Sequence, residues 1–261
     1  MATLKLLFLG DIVGRPGRKA ASNEIPRLKK QYNIDLVVAN VENSAAGFGV
    51  TAKVVEELQA AGIDLMTTGN HIWDKRESYE FIDQSPYLLR PANYPPGVPG
   101  RGFLLYQTPQ VRIGLLNLSG RVYLQGFDDP FRCADELINT ELQAADLIIV
   151  DFHAEATAEK VALGWYLDGR VSAVIGTHTH VQTADARILD QGTAYITDAG
   201  MTGPYNSVLG MSREIIIHKF LYQMPARFEV EKGPYTLQGV VIEFDLQTRK
   251  AISIERIFLI E

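Results

Sequence analysis

Short apolar segments alternate with longer segments of helical period along the first third of this chain, and this alternation most restricts its fold. The pattern predicts buried strands at residues 4–9, 36–41 and 63–68. Between them it predicts helices at 18–32 and 51–61, the second opened by a threonine cap. Strand–helix–strand order of this kind is typical of βαβ units around a largely parallel sheet.

The rest of the chain predicts further strands and helices after a long loop. Residues 86–102 hold five prolines and three glycines, which favours a loop. After it, the pattern predicts a hairpin at 103–117, helices at 131–144 and 156–167, and strands at 147–152 and 173–176. From residue 184 the pattern turns β-rich and ends in strands at 239–246 and 251–259. We therefore predict a single α/β domain, residues 1–261, with two packed sheets, parallel early and more antiparallel late.

Composition limits the class of protein. Lys and Arg number 25 against 31 Asp and Glu, a net charge of −6, and 46% of residues are hydrophobic, which excludes disorder and a long basic nucleic-acid-binding surface. The single cysteine, Cys133, excludes an internal disulfide and fits a reducing compartment. No segment approaches the ~18 apolar residues of a membrane span. We expect a cytoplasmic protein, with self-association through the apolar C-terminal strand as an open alternative.

Polar side chains that can bind a metal or transfer a proton follow five of the predicted strands. In chain order they are Asp11, Glu42, Asn43, Asn70, His71, His153, His178 and His180. Ligand sites in open α/β sheets lie beyond the carboxyl ends of the strands, so we expect these groups to converge at one edge. A turn or a helix cap explains each of them singly, but repetition at five strands favours a shared site. His178 and His180 are two residues apart, so in extended chain they project to the same side.

The types of donor indicate the chemistry. Carboxylate, amide and imidazole without thiolate suit Mn, Fe or Zn rather than copper or an iron–sulfur cluster. Seven donors exceed the need of one tetrahedral zinc and suit two ions bridged by a carboxylate. Two ions roughly 3.5–4 Å apart can clamp the attacking and leaving oxygens of an in-line displacement at phosphorus. The sequence therefore predicts a dinuclear centre for phosphoester hydrolysis.

These residues resemble the calcineurin-like metallophosphoesterase superfamily. The segments GDIVGRPGR, TTGNHIWD, DFHAEATAEK and DAGMTGP resemble its YmdB-like branch. Two features depart from the superfamily's general pattern: the D-x-H histidine is missing after Asp11, and Glu42-Asn43 stands where a second aspartate would be. The resemblance implies a four-layer α/β/β/α sandwich, a dimetal site with Fe or Mn favoured over Zn or Mg, and phosphodiesterase activity on 2′,3′-cyclic nucleotides.

The resemblance also implies a role for each polar residue. The ligands of one metal would be Asp11, Asn43 and His180. Those of the other would be Asn70, His153 and His178, with Glu42 bridging the two. His71 would then be the general acid that protonates the leaving oxygen after attack by metal-bound hydroxide. The alternative is that His71 only holds a ligand in place.

Four further residues are candidates for contact with the substrate. Arg15 and Arg18 could bind a phosphate at the start of the first helix, although Pro and Gly at a helix start explain the segment equally well. Tyr205 could stack on a base and Asn206 could bond to it, although a Gly- and Pro-rich turn also explains that loop.

Two other functions remain open at this point. The first is a regulatory protein that binds a nucleotide or a partner and uses the metals as a scaffold with little turnover. The second is a phosphomonoesterase, which needs extra cationic groups for a dianionic substrate, and beyond Arg15 and Arg18 the sequence offers none that we can assign. Fold similarity constrains the reaction class better than the substrate.

Overall fold

A computed structural model describes residues 2–261, which form two β-sheets with helices packed on their outer faces. The strands in chain order are β1 (Thr3–Leu9), β2 (Asp11–Ile12), β3 (Leu36–Asn40), β4 (Leu65–Thr67), β5 (Phe103–Gln107), β6 (Arg112–Ser119), β7 (Leu147–His153), β8 (Ala173–Thr177), β9 (Arg187–Ile188), β10 (Ala194–Ile196), β11 (Met201–Pro204), β12 (Tyr235–Asp245) and β13 (Ala251–Ile260). The α-helices are α1 (Gly14–Tyr32), α2 (Ala52–Ala60), α3 (Ser78–Phe81), α4 (Pro130–Asn139), α5 (Thr157–Leu167) and α6 (Arg213–Tyr222). Single 3-10 turns lie at Ile72–Asp74 and Ile82–Gln84.

Parallel strands form the centre of the second sheet and part of the first. The first sheet runs β2-β11-β12-β1-β3-β4, with β13 paired to β12. In it β1 is parallel to β3 but antiparallel to β12, so a late strand lies beside the first one. The second sheet runs β5-β6-β7-β8-β10-β9, with antiparallel pairs only at its two edges. The predicted two-sheet α/β architecture is confirmed.

Three apolar clusters separate four layers. In β1, Leu6 and Phe8 belong to the cluster between the sheets, whereas Leu7 and Leu9 belong to the cluster beneath α1 and α2. Successive residues of a strand point to opposite faces, which produces this split. A third cluster lies between the second sheet and the helices α4 and α5. The order is therefore helix, sheet, sheet, helix, as the resemblance implied.

Helix α6 is the main difference from the predicted secondary structure, because the β-rich pattern expected after residue 184 is interrupted by a helix. Its run of three isoleucines, residues 215–217, is β-branched and favours a strand on intrinsic preference. Tertiary contacts override that preference: Ile216 is buried, and Ser212, just before the helix, donates its N–H to the carbonyl of Glu229. Ile217 and Phe220 remain exposed. No helix within residues 2–261 combines the length and the apolar character that crossing a membrane requires.

Candidate metal centre

The polar strand ends of the two sheets meet at one edge of the sandwich. Glu42 follows β3 of the first sheet and His153 ends β7 of the second, and their Oε1 and Nε2 atoms are 2.9 Å apart. Asp11, which follows β1 after a single glycine, accepts a bond of 3.0 Å at Oδ2 from the backbone N–H of His178, just beyond β8. Strands of both sheets therefore deliver their last residues to a common point, as the sequence predicted.

His153 lies at the middle of this cluster. Its Nε2 atom is 3.0 Å from His178 Nδ1 and 3.1 Å from Asn70 Oδ1, in addition to its contact with Glu42. Its side chain is fully buried. The ligand atoms of Glu42, His153 and His178 lie within 4.8 Å of one another, close enough to hold a metal ion together.

The remaining predicted ligands join the cluster from the other side. Asn43 Nδ2 lies 3.3 Å from Glu42 Oε1 and 3.1 Å from His180 Nε2. His180 Nε2 is 3.8 Å from Asp11 Oδ1. Asn43 thus presents its amide donor to the cluster, and ligation through Oδ1 requires the amide to turn over by about 180°. All seven predicted ligands lie in one connected group of side chains.

Two observations test whether these residues fit a metal. The first is Asp11 Oδ1, which is buried and has no hydrogen-bond partner among residues 2–261. Buried carboxylate oxygens are almost always paired, so this one suits a cation. The second is Gly69, where an added Cβ would lie 2.1 Å from His153 and 2.4 Å from Glu42. The backbone here leaves room only for the donor atoms, and the donor set fits a metal centre.

The charge interaction between Glu42 and His153 outweighs the effect of burial on their pKa values, whereas burial dominates the pKa values of His178 and Asp11. Burial alone would raise the pKa of Glu42, but the charge and hydrogen bond of His153 lower that pKa to about 2. Burial would lower the pKa of His153, but Glu42 and then Asp11 raise it to about 9. Burial, followed by repulsion from His153, lowers the pKa of His178 to about 3. Burial raises the pKa of Asp11 above its usual range. The cluster holds two fully buried carboxyl groups, Asp11 and Glu42, as a cation site requires.

The structure brings His178 and His180 to the cluster, but the geometric reason predicted for this was wrong. Strand β8 ends at Thr177, so the pair does not lie in extended chain. Both histidines have positive φ, 101° and 64°, which is uncommon for residues other than glycine and recurs at functional sites. A tight turn, rather than the two-residue period of a strand, brings both imidazoles to the cluster.

A buried polar network behind His153 was missed in the sequence. Thr177 Oγ1 lies 2.9 Å from His153 Nδ1 and donates to Asp151 Oδ1 over 2.7 Å. Asn40 donates to Asp151 Oδ2 over 3.0 Å. Such partners orient a ligating imidazole and fix its tautomer. The signal was present: Asp151 precedes His153 by two residues on the same strand, so both side chains face the same side.

A buried ion pair supports the turn of His178 and His180. Lys160 Nζ on α5 lies 2.6 Å from Asp198 Oδ2 and donates to the carbonyl of Thr177 over 2.7 Å. Asp198 Oδ2 also accepts the N–H of Thr179, between the two histidines, over 3.1 Å. Lys160 shares the buried face of α5 with apolar residues, and a lysine in such a helical stripe is the signal that could have revealed it.

His71 lies beside the cluster and has its own acidic partner. Its Nδ1 atom is 2.9 Å from Asp74 Oδ2. Its backbone N–H donates to Glu42 Oε2 over 3.1 Å, which ties His71 to the cluster without using the ring. Phe48 packs edge-on against the imidazole, with ring centroids 5.1 Å apart. A carboxylate on Nδ1 leaves Nε2 as the ring nitrogen available to a substrate.

A cavity of about 460 Å³ opens over the cluster. We call its polar base, formed by Glu42, Asn43, His71, Glu155, His178, Thr179 and His180, the floor. We call its apolar side, formed by Gly47, Phe48, Val208, Leu209, Met211, Ile216, Phe220 and Phe228, the wall. Glu155, whose Oε2 is 3.1 Å from His178 Nε2, is a floor residue that the sequence analysis missed. Among the described residues lining the cavity, Lys219 is the only lysine or arginine.

The four residues predicted to contact the substrate are not among the residues that line this cavity. The guanidinium of Arg18 bonds to the carbonyl of Ser44 and to Glu57, so it supports the loop after β3. Arg15 is exposed on α1 and borders a separate surface depression. Tyr205 and Asn206 are exposed, whereas Val208 and Leu209, which follow them in the chain, line the cavity.

Comparison with known proteins gives consistent matches over almost the whole chain. The family described as YmdB-like protein matches residues 7–257. A 2′,3′-cyclic-nucleotide 2′-phosphodiesterase of Bacillus subtilis is 53% identical over 98% of this chain and 97% of that protein. A crystal structure described as a novel phosphatase of Mycoplasma pneumoniae is 39% identical, has a TM-score of 0.95, and is matched over 100% of this chain and 95% of that one.

A second solved structure has the same fold. A hypothetical protein from Thermus thermophilus is 40% identical with a TM-score of 0.93, over 99% of this chain and 100% of that one. These matches agree with the motifs, with the four-layer sandwich and with the cluster of donors at its edge. The chain belongs to the YmdB-like protein family, a branch of the metallophosphoesterases.

Proposed function

We propose that this protein is a metal-dependent phosphodiesterase that hydrolyses 2′,3′-cyclic nucleotides. The observation that carries the proposal is one cavity in which a cluster of metal-type donors adjoins a histidine paired with a carboxylate. The name of the Bacillus subtilis relative supports the choice of substrate. The family membership supports the reaction class.

In this proposal the floor, together with Asp11, Asn70 and His153 of the same cluster, would hold two metal ions. Asp11, Asn43 and His180 would hold one. Asn70, His153 and His178 would hold the other, and Glu42 would be shared between them. An amide in place of an imidazole makes the site richer in oxygen, which favours Fe or Mn over Zn. Bound there, the ions supply Lewis-acid activation of water and charge stabilisation at phosphorus.

His71 provides the proton for the leaving group. Water adds to phosphorus and releases one proton to the solvent, the bond between phosphorus and the 2′ oxygen breaks, and that oxygen takes a proton from His71 Nε2, which regains one from the solvent. The product is a nucleoside 3′-phosphate with a free 2′-hydroxyl, so atoms and charge balance. Asp74, whose Oδ2 is 2.9 Å from Nδ1, orients the ring so that Nε2 is the nitrogen left for the leaving oxygen.

The charge of the cavity favours a diester over a monoester. A phosphomonoester carries a second negative charge and needs additional cationic side chains. Lys219 is the single lysine or arginine among the described residues that line the cavity, and it lies on α6 beside the wall. Arg15 and Arg18, the other candidates, lie elsewhere.

A hydrolysis panel on Mn-loaded protein tests the proposal. It compares adenosine 2′,3′-cyclic phosphate, adenosine 3′,5′-cyclic phosphate and a nitrophenyl monoester for the wild type and for His71→Ala. We expect turnover of the 2′,3′-cyclic compound and a fall in kcat of about 10²–10⁴ in the variant, with metal content unchanged.

His218→Ala is the matched control, because His218 is an exposed histidine on α6 that packs against Tyr222 outside the cavity. It should keep wild-type kcat. Unchanged turnover in His71→Ala would show that His71 takes no part in the reaction. No turnover of any substrate by metal-loaded wild type would favour the regulatory scaffold, and preference for the monoester would favour a phosphomonoesterase.

A further inference from the structure

The wall of the cavity offers an aromatic surface that the proposed hydrolysis does not use. Phe48 and Phe228 both line it and are only half-buried. Their rings are close to parallel, with an interplanar angle of 27° and centroids 6.5 Å apart. Lys219 Nζ lies 4.4 Å from the centroid of Phe228 and holds that ring by a cation–π contact.

Phe48 is held in place rather than exposed by chance. It lies between Gly47 and Gly49, whose φ angles of 98° and 73° lie in the left-handed region that favours glycine. At Gly49 a Cβ would lie 2.8 Å from the side chain of Lys75, so this loop packs directly against the segment that follows His71. The backbone thus presents one large apolar ring to the cavity next to the proposed acid.

The chemistry of a 2′,3′-cyclic nucleotide places its base near this ring. The leaving oxygen is on C2′, and the base is attached to the adjacent carbon, C1′. If the leaving oxygen faces His71, the base must lie within a few bonds of it. Phe48, whose ring centroid is 5.1 Å from that of His71, is the apolar group at that position.

We propose that Phe48 and Phe228 form a subsite that binds the nucleobase by stacking. This inference rests on the proposed function, because it takes the orientation of the substrate from the role of His71. Stacking on aromatic side chains tolerates any base, since each base has a π-face, and purines stack over a larger area than pyrimidines. The floor then determines the reaction, and these two rings favour nucleotides over other cyclic phosphodiesters.

Substitutions that keep apolar volume but remove the aromatic face test the subsite. Phe48→Leu and Phe228→Leu are compared with Phe258→Leu, because Phe258 is a half-exposed phenylalanine on β13 that does not line the cavity. The substrates are adenosine 2′,3′-cyclic phosphate and the methyl riboside 2′,3′-cyclic phosphate, which has no base. We expect kcat/KM for the adenosine compound to fall about 5- to 150-fold in the first two variants, mainly through KM. The base-free substrate should change less than about twofold.

Binding gives a second measurement that does not depend on turnover. Calorimetry with adenosine 3′-phosphate and methyl riboside 3′-phosphate should show that the wild type binds the nucleotide more tightly. This preference should be lost in Phe228→Leu. Equal losses of kcat/KM for the adenosine and the base-free cyclic phosphates in Phe48→Leu and Phe228→Leu would overturn the subsite. No loss of kcat/KM for either substrate would overturn it too. If wild type hydrolyses neither substrate, the proposed function fails, and the calorimetric preference for the base still decides whether the subsite exists.

Discussion

The floor and the wall of the cavity differ in almost every physical respect although they enclose the same space. Glu42 on the floor and the donors Asp11 and His153 beneath it are fully buried and come from strand ends of both sheets, and Glu42 and His153 form an ion pair. Phe220 on the wall is 74% exposed and comes from a helix with one buried residue. In the proposed function, the sheet edges determine the reaction, whereas loops and one marginally packed helix determine which substrate is bound.

If the floor depends on its supporting network, breaking that network should have the largest effect. Lys160→Met leaves the carboxylate of Asp198 buried without its cation and should lower the free energy of unfolding by about 3–5 kcal/mol. Metal content should fall as well, because Asp198 bonds to Thr179 between the two histidines. Chemical denaturation and metal analysis measure the two effects.

A double variant separates the two roles of this ion pair. K160M/D198N removes the unpaired charge and should recover part of the stability. Metal content should remain low, since the carbonyl of Thr177 has still lost the Lys160 donor. Lys30→Met, on the outer part of α1, is the control and should match wild type in both measurements. A stable Lys160→Met with full metal content would show that the floor does not need this support.

The partner of His71 should have an intermediate effect. Asp74→Asn keeps the shape of the side chain but removes the carboxylate that contacts Nδ1 of His71 and orients its ring. We expect kcat to fall by about 10- to 100-fold, the usual cost of losing such a partner, with metal content unchanged. Asp83→Asn, on the next single turn along the chain, should leave kcat as it is. A loss of metal in Asp74→Asn would show that His71 and Asp74 support metal binding, which would contradict the separate role given to this pair.

The wall should tolerate change that the floor does not. Phe220→Ser replaces an exposed ring on α6, so the free energy of unfolding should change by less than about 0.5 kcal/mol. Thermal or chemical denaturation measures this directly. A loss of several kcal/mol would mean that α6 is packed as firmly as the strand ends, and the contrast between the two regions would not hold.

The predicted metal-type donors were readable in the sequence because their signal is local. Each donor lies at or shortly after the end of an apolar strand, and parallel strands carry their ends to one edge whatever the order of the strands. The turn that positions His178 and His180 was not readable, because it depends on Asp198 and on α5, whose contacts are set by the tertiary fold. The convergence of these side chains was therefore predicted for partly the wrong geometric reason.

The wall could not be predicted because its residues carry no comparable local signal in the sequence. Phe48 and Phe228 lie in irregular segments, where apolar residues follow no period that indicates burial or exposure. Arg18 resembled a phosphate ligand until its partners were known, and Glu57 lies 39 residues away in the sequence. In α6 a β-branched run concealed a helix. Function at the level of reaction class was recoverable from strand ends, whereas the surfaces that contact a substrate required the structure.

The number of metal ions bound per chain tests the central claim most directly. Protein dialysed against Mn²⁺ is measured by elemental analysis for the wild type, for Glu42→Gln and for the control Glu243→Gln, whose side chain on β12 pairs with Lys5 on β1. We predict two ions per chain in the wild type and the control, and loss of both in Glu42→Gln. One ion or none in the wild type, or two ions in Glu42→Gln, would contradict a dinuclear centre built on Glu42.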